Sequence, residues 1–144
     1  MKSINRKQLF QTGGLAALGM AGLPLLAQEH HHHHHTRKYS QLASVAADCA
    51  KRGNDCVDHC LELLKSGDSS LARCAEVSQE MVIMCNALTA MASHESPYLK
   101  RLARVCIDVC RTCAKECRKH ADKHPECKAC LEGCEECIKE CRKI

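Results

Sequence analysis

Cysteines recur along this chain at the spacing of an α-helix, and this periodicity constrains the fold more than any other feature of the sequence. The 144 residues include 14 cysteines. Over Cys106–Cys117 and over Cys127–Cys141, each cysteine follows the previous one by three or four residues. At about 100° per residue, such steps place each set on one face of a helix. Because this face normally carries the leucines and isoleucines that fill a core, the pattern predicts a core lined with thiols.

Turn signals divide the rest of the chain into helical segments. The sequence predicts four helices, over about residues 39–65, 68–93, 96–120 and 125–142. Gly67 ends the first helix, and Asp68 or Ser69 caps the second. Pro97 and Pro125 stand in the first turns of the third and fourth helices, where proline is favoured.

The short connections between helices of similar length predict an all-α fold, an up-down-up-down four-helix bundle with a cysteine-lined core. In this topology the ends of neighbouring helices meet, so their cysteines are expected to form layers. The layer at one end is expected to contain Cys60, Cys74, Cys117 and Cys127. The layer at the opposite end is expected to contain Cys49, Cys85, Cys106 and Cys141. The candidate metal ligands also include Cys56, Cys110, Cys113, Cys130, Cys134 and Cys137.

Several chemistries compete for these thiols. A disulfide scaffold is compatible with an even number of cysteines in an exported chain, but a helical chain of this length does not need so many bridges. Pairs such as Cys110 and Cys113 permit zinc sites. However, three Zn²⁺ ions held by twelve thiolates would leave about six negative charges in a core of low dielectric constant. An iron–sulfur cluster is disfavoured because the chain lacks the ferredoxin run of cysteines followed by proline.

Binding of Cu(I) explains three features of the cysteines together: their number, their position on one face of each helix and their periodicity. Soft thiolates select Cu(I), and one singly charged ion per thiolate leaves the core neutral whatever number is bound. Low-coordinate Cu(I) bridges thiolates of neighbouring layers, so a continuous stripe of sulfur becomes a row of sites. The sequence therefore predicts multiple Cu(I) ions per chain and a function in copper storage or sequestration. A disulfide-stapled or redox-active helical structural protein is the alternative.

Other functional classes find little support in the sequence. It contains no nucleophile–base constellation, P-loop or cofactor fingerprint, and buried or metal-bound thiolates are poor catalysts. We therefore predict that the protein is not an enzyme. The net charge of +4 arises partly from the basic N-terminal segment, so we expect no nucleic-acid partner.

The first residues have the features of an export signal. Within residues 1–27, the basic residues Lys2, Arg6 and Lys7 precede the apolar run Leu9–Leu26. The pair Arg6-Lys7 resembles a twin-arginine signal in which one arginine is replaced by lysine. We expect export to the periplasm, with the twin-arginine route favoured, and no membrane association after signal removal. A short membrane anchor is the alternative.

A run of histidines, His30–His35, lies in a segment that we expect to be flexible, residues 28–38. It is either a natural metal-gathering tail or an affinity tag, and in both cases it stands outside the fold. The copper-binding four-helix domain is predicted to occupy residues 39–144.

The cysteine pattern resembles a known family. The segment Cys49–Leu64, with Cys-x6-Cys-x3-Cys and with His59 before Cys60, resembles the first bundle helix of the copper storage proteins. The stretches Val105–Cys117 and Glu126–Cys130 resemble their third and fourth helices. The resemblance covers nearly all of the predicted bundle. It implies a cysteine-lined bundle that stores many Cu(I) ions, assembled as a homotetramer, and it leaves the protein that receives the copper unidentified.

Four side chains beside the cysteines are candidates to bind Cu(I) as it enters or to serve as auxiliary ligands: His59, Met81, His120 and His124. The three histidines map to the end of the bundle that carries Cys60, where imidazoles can pass Cu(I) to thiolates. Met81 lies on the seam of the second helix and serves either as a thioether ligand or as core filling.

Overall fold

The computed structural model describes residues 37–144, in which it contains four helices and no strand. The helices are α1 Ser40–Lys65, α2 Ala72–Ser93, α3 Leu99–Cys117 and α4 Pro125–Cys141. α1 packs against α2 and α4, and α3 packs against the same two helices. The predicted four-helix bundle is thus confirmed. The predictions for the export signal and for the histidine run lie outside the described residues.

The second helix begins later than the sequence predicted. Asp68 Oδ1 accepts a hydrogen bond from the backbone N–H of Ser70 at 2.8 Å. Such side-chain bonds stabilise a turn in competition with the helix. The helix therefore starts at Ala72, with Leu71 in the N-cap position and no side-chain cap. The prediction that Asp68 or Ser69 caps this helix was wrong.

The third helix is also shorter than predicted at its start. Ser96 Oγ accepts a hydrogen bond from the backbone N–H of Tyr98 at 3.3 Å, and the first helical residue is Leu99. Pro97 therefore lies in a turn before the helix and not in its first turn.

The connection between α3 and α4 carries two of the candidate histidines. α3 ends at Cys117, so His120 lies in a turn and not at the end of the helix as predicted. Pro125 occupies the first turn of α4, as predicted, and Glu126 adds a carboxylate to that turn. His124 is the N-cap residue, with an extended backbone. The turn places both histidines over one end of the bundle, which we call the histidine end.

The opposite end of the bundle is filled by aliphatic side chains. Six residues from α1, α2 and α3, none more than 3% exposed, form what we call the aliphatic plug: Leu42, Ala46, Leu88, Ala92, Leu99 and Ala103. Their burial removes apolar surface from water and gives this end a packed core that does not depend on sulfur. Within residues 37–144, none of the four helices has the length and apolar composition needed to cross a membrane.

Candidate metal centre

The cysteines occupy the centre of the bundle between the aliphatic plug and the histidine end. All 14 are free thiols, and none is more than 3% exposed. Each helix supplies the stripe that its sequence spacing predicts, because residues three and four apart lie on one face. The core that ordinarily holds leucine and isoleucine here holds sulfur.

The sulfur atoms gather into overlapping groups. Within each group the sulfurs lie within 4.8 Å of one another. Three groups lie toward the histidine end: Cys56, Cys60, Cys74 and Cys127, then Cys56, Cys117 and Cys130, then Cys113, Cys130 and Cys134. Two lie toward the aliphatic plug: Cys49, Cys85, Cys110 and Cys137, then Cys106, Cys137 and Cys141. Because neighbouring groups share members, the thiols do not separate into isolated four-ligand sites.

Cys134 joins the two halves of this array. It belongs to the group of Cys113 and Cys130. The neighbouring thiols of Cys110, from the other half, and Cys113 raise the pKa of the Cys134 thiol. Cys134 therefore lies between the two halves of the sulfur array.

The predicted layer at the histidine end is present. Cys74 Sγ lies 3.6 Å from Cys117 Sγ and 3.9 Å from Cys127 Sγ. Cys60 belongs to the same group as Cys74 and Cys127. The four helix ends thus meet as the up-down-up-down topology requires.

At the other end the layer is staggered relative to the prediction. Cys49 groups with Cys110 and Cys137, whereas Cys141 lies farther out with Cys106. For Cys141 the cause is the spacing in the fourth helix, where the two predicted layer positions are 14 residues apart instead of 11. Three extra residues add about 4.5 Å along a helix axis. Cys137 therefore takes the place in the layer that was predicted for Cys141.

One core position was missed by the sequence analysis. Ser78 is fully buried, and its Oγ lies 3.5 Å from Cys113 Sγ and 3.7 Å from Cys56 Sγ. Ser78 follows Cys74 by four residues and precedes Met81 by three. This helical spacing places all three side chains on the same face of α2 and could have identified Ser78 as a core residue. Its hydroxyl is a hydrogen-bond donor that faces the thiols.

Burial favours the protonated form of the Cys60 thiol. Desolvation raises the pKa of the Cys60 thiol, and the charges of neighbouring Cys56 and Cys74 raise it further. A buried anion is costly in a low-dielectric core unless a cation accompanies it. A singly charged ion that replaces one proton keeps the core neutral.

The three candidate histidines come together at the histidine end, as predicted. His59 Nε2 lies 2.9 Å from His124 Nδ1, and the His120 and His124 rings have centroids 6.4 Å apart. Glu126 Oε2 approaches His59 Nδ1 at 3.5 Å. Among residues 37–144, His120 Nε2 and Glu126 Oε2 are buried polar atoms without a hydrogen-bond partner. Such atoms are rare in native structures and have unused capacity to bind a ligand.

Met81 lies on the seam of α2, also as predicted. It is fully buried, and its Sδ accepts hydrogen bonds from Cys49 Sγ at 3.3 Å and from Cys85 Sγ at 3.5 Å. Met84 and Met91 are only partly buried and pack against the edge of the core.

Comparisons with known proteins agree with this geometry. A family model described as "Copper storage protein" matches residues 29–144. The curated "Uncharacterized cysteine-rich protein YhjQ" of Bacillus subtilis is 32% identical over 93 residues, which are 64% of this chain and 82% of that protein.

Two solved structures share the fold. The Cu(I)-bound copper storage protein BsCsp3 is 31% identical, with a TM-score of 0.65, over 74% of this chain and 97% of that one. The apo form of copper storage protein 3 from Bacillus subtilis is 30% identical, with a TM-score of 0.63, over 71% of this chain and 93% of that one.

Proposed function

We propose that this chain, which belongs to the copper storage protein family, stores multiple Cu(I) ions on the cysteine thiolates inside its four-helix bundle. One observation supports the proposal above the others: all 14 buried thiols belong to groups of closely spaced sulfurs, and the groups within each half of the bundle share members. Cu(I) suits such an array because it accepts soft, shared thiolate ligands. We propose a storage role without catalytic activity.

Charge balance favours Cu(I) over a divalent ion here. Each Cu(I) that replaces a thiol proton leaves the local charge unchanged, and the proton goes to solvent. A tetrahedral Zn²⁺ with four thiolates carries a net charge of about −2, which the apolar walls of the bundle do not compensate. Shared cysteines such as Cys56, Cys130 and Cys137 also suit bridging ligation better than closed four-ligand sites.

Anaerobic titration with Cu(I) against a competing chelator is the direct test. We expect saturation at about one ion per cysteine, on the order of 10–14 per chain, because each thiol can exchange its proton for one ion. Protein whose thiols have been blocked by alkylation in denaturant is the control and should bind none inside the bundle. Saturation at three or four ions would instead indicate discrete tetrahedral sites. If the isolated protein contains few titratable thiols before reduction, the disulfide-stapled alternative is correct.

We also propose that the histidine end is the copper entrance. His59, His120 and His124 lie beside the group that contains Cys60 and Cys127, and the opposite end is filled by the aliphatic plug. Imidazole is an intermediate ligand that accepts copper from solution and releases it to thiolate. Leu71, which is fully buried at this end, offers no donor atom, so histidine is the principal donor there.

We propose that the chain forms a homo-oligomer, specifically a tetramer. Ile83 is 62% exposed, and Ala87 and Ala90 are exposed beside it on the outer face of α2. This small apolar strip is suited to burial against another copy. Sedimentation analysis at micromolar concentration is expected to show an oligomer that Ile83→Lys weakens. A monomer under these conditions would contradict the proposal.

We propose export to the periplasm by the signal in residues 1–27. Free thiols that reach an oxidising compartment are liable to form disulfides, so a route for folded cargo protects them. Replacing both Arg6 and Lys7 with glutamine is expected to reduce the periplasmic fraction of the protein severalfold, as measured by cell fractionation. Unchanged export of this variant would rule out the twin-arginine route.

A further inference from the structure

Helix α2 lines the core with fewer cysteines than the helices it faces. Its seam positions are Cys74, Ser78, Met81 and Cys85, all fully buried. Met81 therefore stands where a continuous cysteine stripe would place a thiol. Its sulfur lies 3.3 Å from Cys49 Sγ and 3.5 Å from Cys85 Sγ.

These two thiols belong to the four-thiol group nearest the aliphatic plug. Cys49, Cys85, Cys110 and Cys137 have sulfurs within 4.8 Å of one another. The Met81 sulfur contacts two members of this group from one side. Met81 Sδ thus adds a third sulfur atom beside those of Cys49 and Cys85.

The neighbouring backbone fixes which part of the Met81 side chain faces the thiols. A Cβ atom added to Gly53 would lie 2.4 Å from Met81 Cε and 3.7 Å from Met81 Sδ. The methyl group therefore occupies the space that the absent side chain of Gly53 leaves free on α1. With the methyl group held there, the sulfur lone pairs are directed toward Cys49 and Cys85.

We propose that Met81 Sδ is a Cu(I) ligand that, with the thiolates of Cys49 and Cys85, forms a mixed thiolate–thioether site deep in the bundle. This inference rests on the proposed function. A thioether has no proton to lose and adds no charge, so it supplies a soft donor without another buried anion. The Cys49 and Cys85 protons go to solvent as this ion and a neighbouring Cu(I) of the same four-thiol group bind, one proton for each ion, so the core stays neutral.

The same contacts also fit a simpler role, in which Met81 fills the core and accepts weak S–H hydrogen bonds. The two roles differ once copper is present. When Cys49 and Cys85 bind as thiolates, they no longer have hydrogens to donate. A packing methionine then has no attractive polar contact at this point, whereas a ligand methionine is bonded to the ion.

X-ray absorption at the selenium edge distinguishes the two roles. The full chain is labelled with selenomethionine, reduced, loaded with Cu(I) and analysed for copper content on the same sample. We expect copper backscattering in the selenium spectrum of the parent. It should be lost in Met81→Leu, which preserves volume and hence the fold. Met84→Leu is the matched control and should retain the signal.

The double variant Met84→Leu/Met91→Leu leaves Met81 in place and provides a test independent of any effect of Met81→Leu on folding. Its selenium–copper signal per chain should equal that of the parent, so the signal per selenium should rise because three of the five methionines remain. Loss of the signal in this variant, or its persistence in folded Met81→Leu, would assign the ligand to another methionine and overturn the inference. A copper-loaded parent without the signal would overturn it as well. A parent that binds no copper would instead contradict the proposed function itself.

Discussion

Saturation with Cu(I) is expected to raise the melting temperature of this protein by at least about 15 °C. A ligand that binds only the native state stabilises it by mass action, by about 4 kcal/mol per site at a thousandfold excess over the dissociation constant. A change of 1 kcal/mol shifts the melting temperature of a domain of this size by about 4 °C. The estimate uses one tight site only, so several sites should exceed it. Calorimetry of apo and loaded protein under anaerobic conditions provides the measurement.

The fourth helix should account for much of this effect. Its buried residues are mostly cysteines, and Ile138 is its one large aliphatic side chain in the core. Without metal, α4 is held by small thiols that bury little apolar surface. Hydrogen exchange in α4 should therefore slow more on copper loading than exchange around the aliphatic plug.

A variant that removes one thiol group controls for copper binding elsewhere. Replacing Cys113, Cys130 and Cys134 with serine removes a complete group while the aliphatic plug stays intact. Its copper-induced rise in melting temperature should be clearly smaller than that of the parent. Equal shifts would show that copper bound at this group contributes little to the stabilisation, and an unchanged melting temperature in the parent would contradict binding coupled to stability.

The sequence was sufficient to predict the bundle and its sulfur core because both depend on one strong periodicity. Three- and four-residue steps determine which side chains share a helix face, and the structure buries every cysteine so predicted. The 14-residue spacing in α4 already indicates that Cys141 lies beyond the layer, whereas the grouping of Cys110 instead of Cys106 with Cys49 depends on how α3 packs against its neighbours. Spacing within one helix defines a face, whereas alignment between helices depends on packing.

Local turn chemistry limited the prediction of helix ends. Asp68 and Ser96 each bond a backbone N–H two residues ahead, and these turns delay the start of the following helix. A serine or aspartate before an apolar run is compatible with a cap or with such a turn, and the sequence does not distinguish them. The core role of Ser78 was missed for a different reason. The cysteine periodicity carried the prediction, and a serine on the same seam does not extend that pattern.

The early end of α3 matters for function because it creates the turn that carries His120. If α3 continued to residue 120, the three-residue step from Cys117 would place His120 on the cysteine face of the helix. The turn instead brings His120 and His124 over the end of the sulfur array, with His59 in hydrogen-bond contact with His124. The buried atoms His120 Nε2 and Glu126 Oε2, which make no hydrogen bond, lie at this end.

Replacing His59, His120 and His124 together with alanine is expected to slow copper exchange about tenfold, which corresponds to about 1.4 kcal/mol of activation free energy. The variant lacks the nitrogen donors that we propose accept the ion before Cys60 and Cys127, so copper must pass from solution directly to buried thiols. The rates of Cu(I) loading and of removal by a chelator should both fall. The number of ions bound at saturation should remain nearly that of the parent, because all 14 thiols are retained.

His94→Ala is the matched control for this prediction, since His94 is exposed at the end of α2 beside the aliphatic plug. It removes an imidazole from the opposite end of the bundle and should leave both rates unchanged. Helical content of each variant is checked by circular dichroism before the kinetics are compared. If the triple variant exchanges copper as fast as the parent, the entrance is not at the histidine end. If His94→Ala slows exchange to the same degree, copper enters through the end closed by the plug, and the transient opening of its aliphatic packing becomes the step that limits loading.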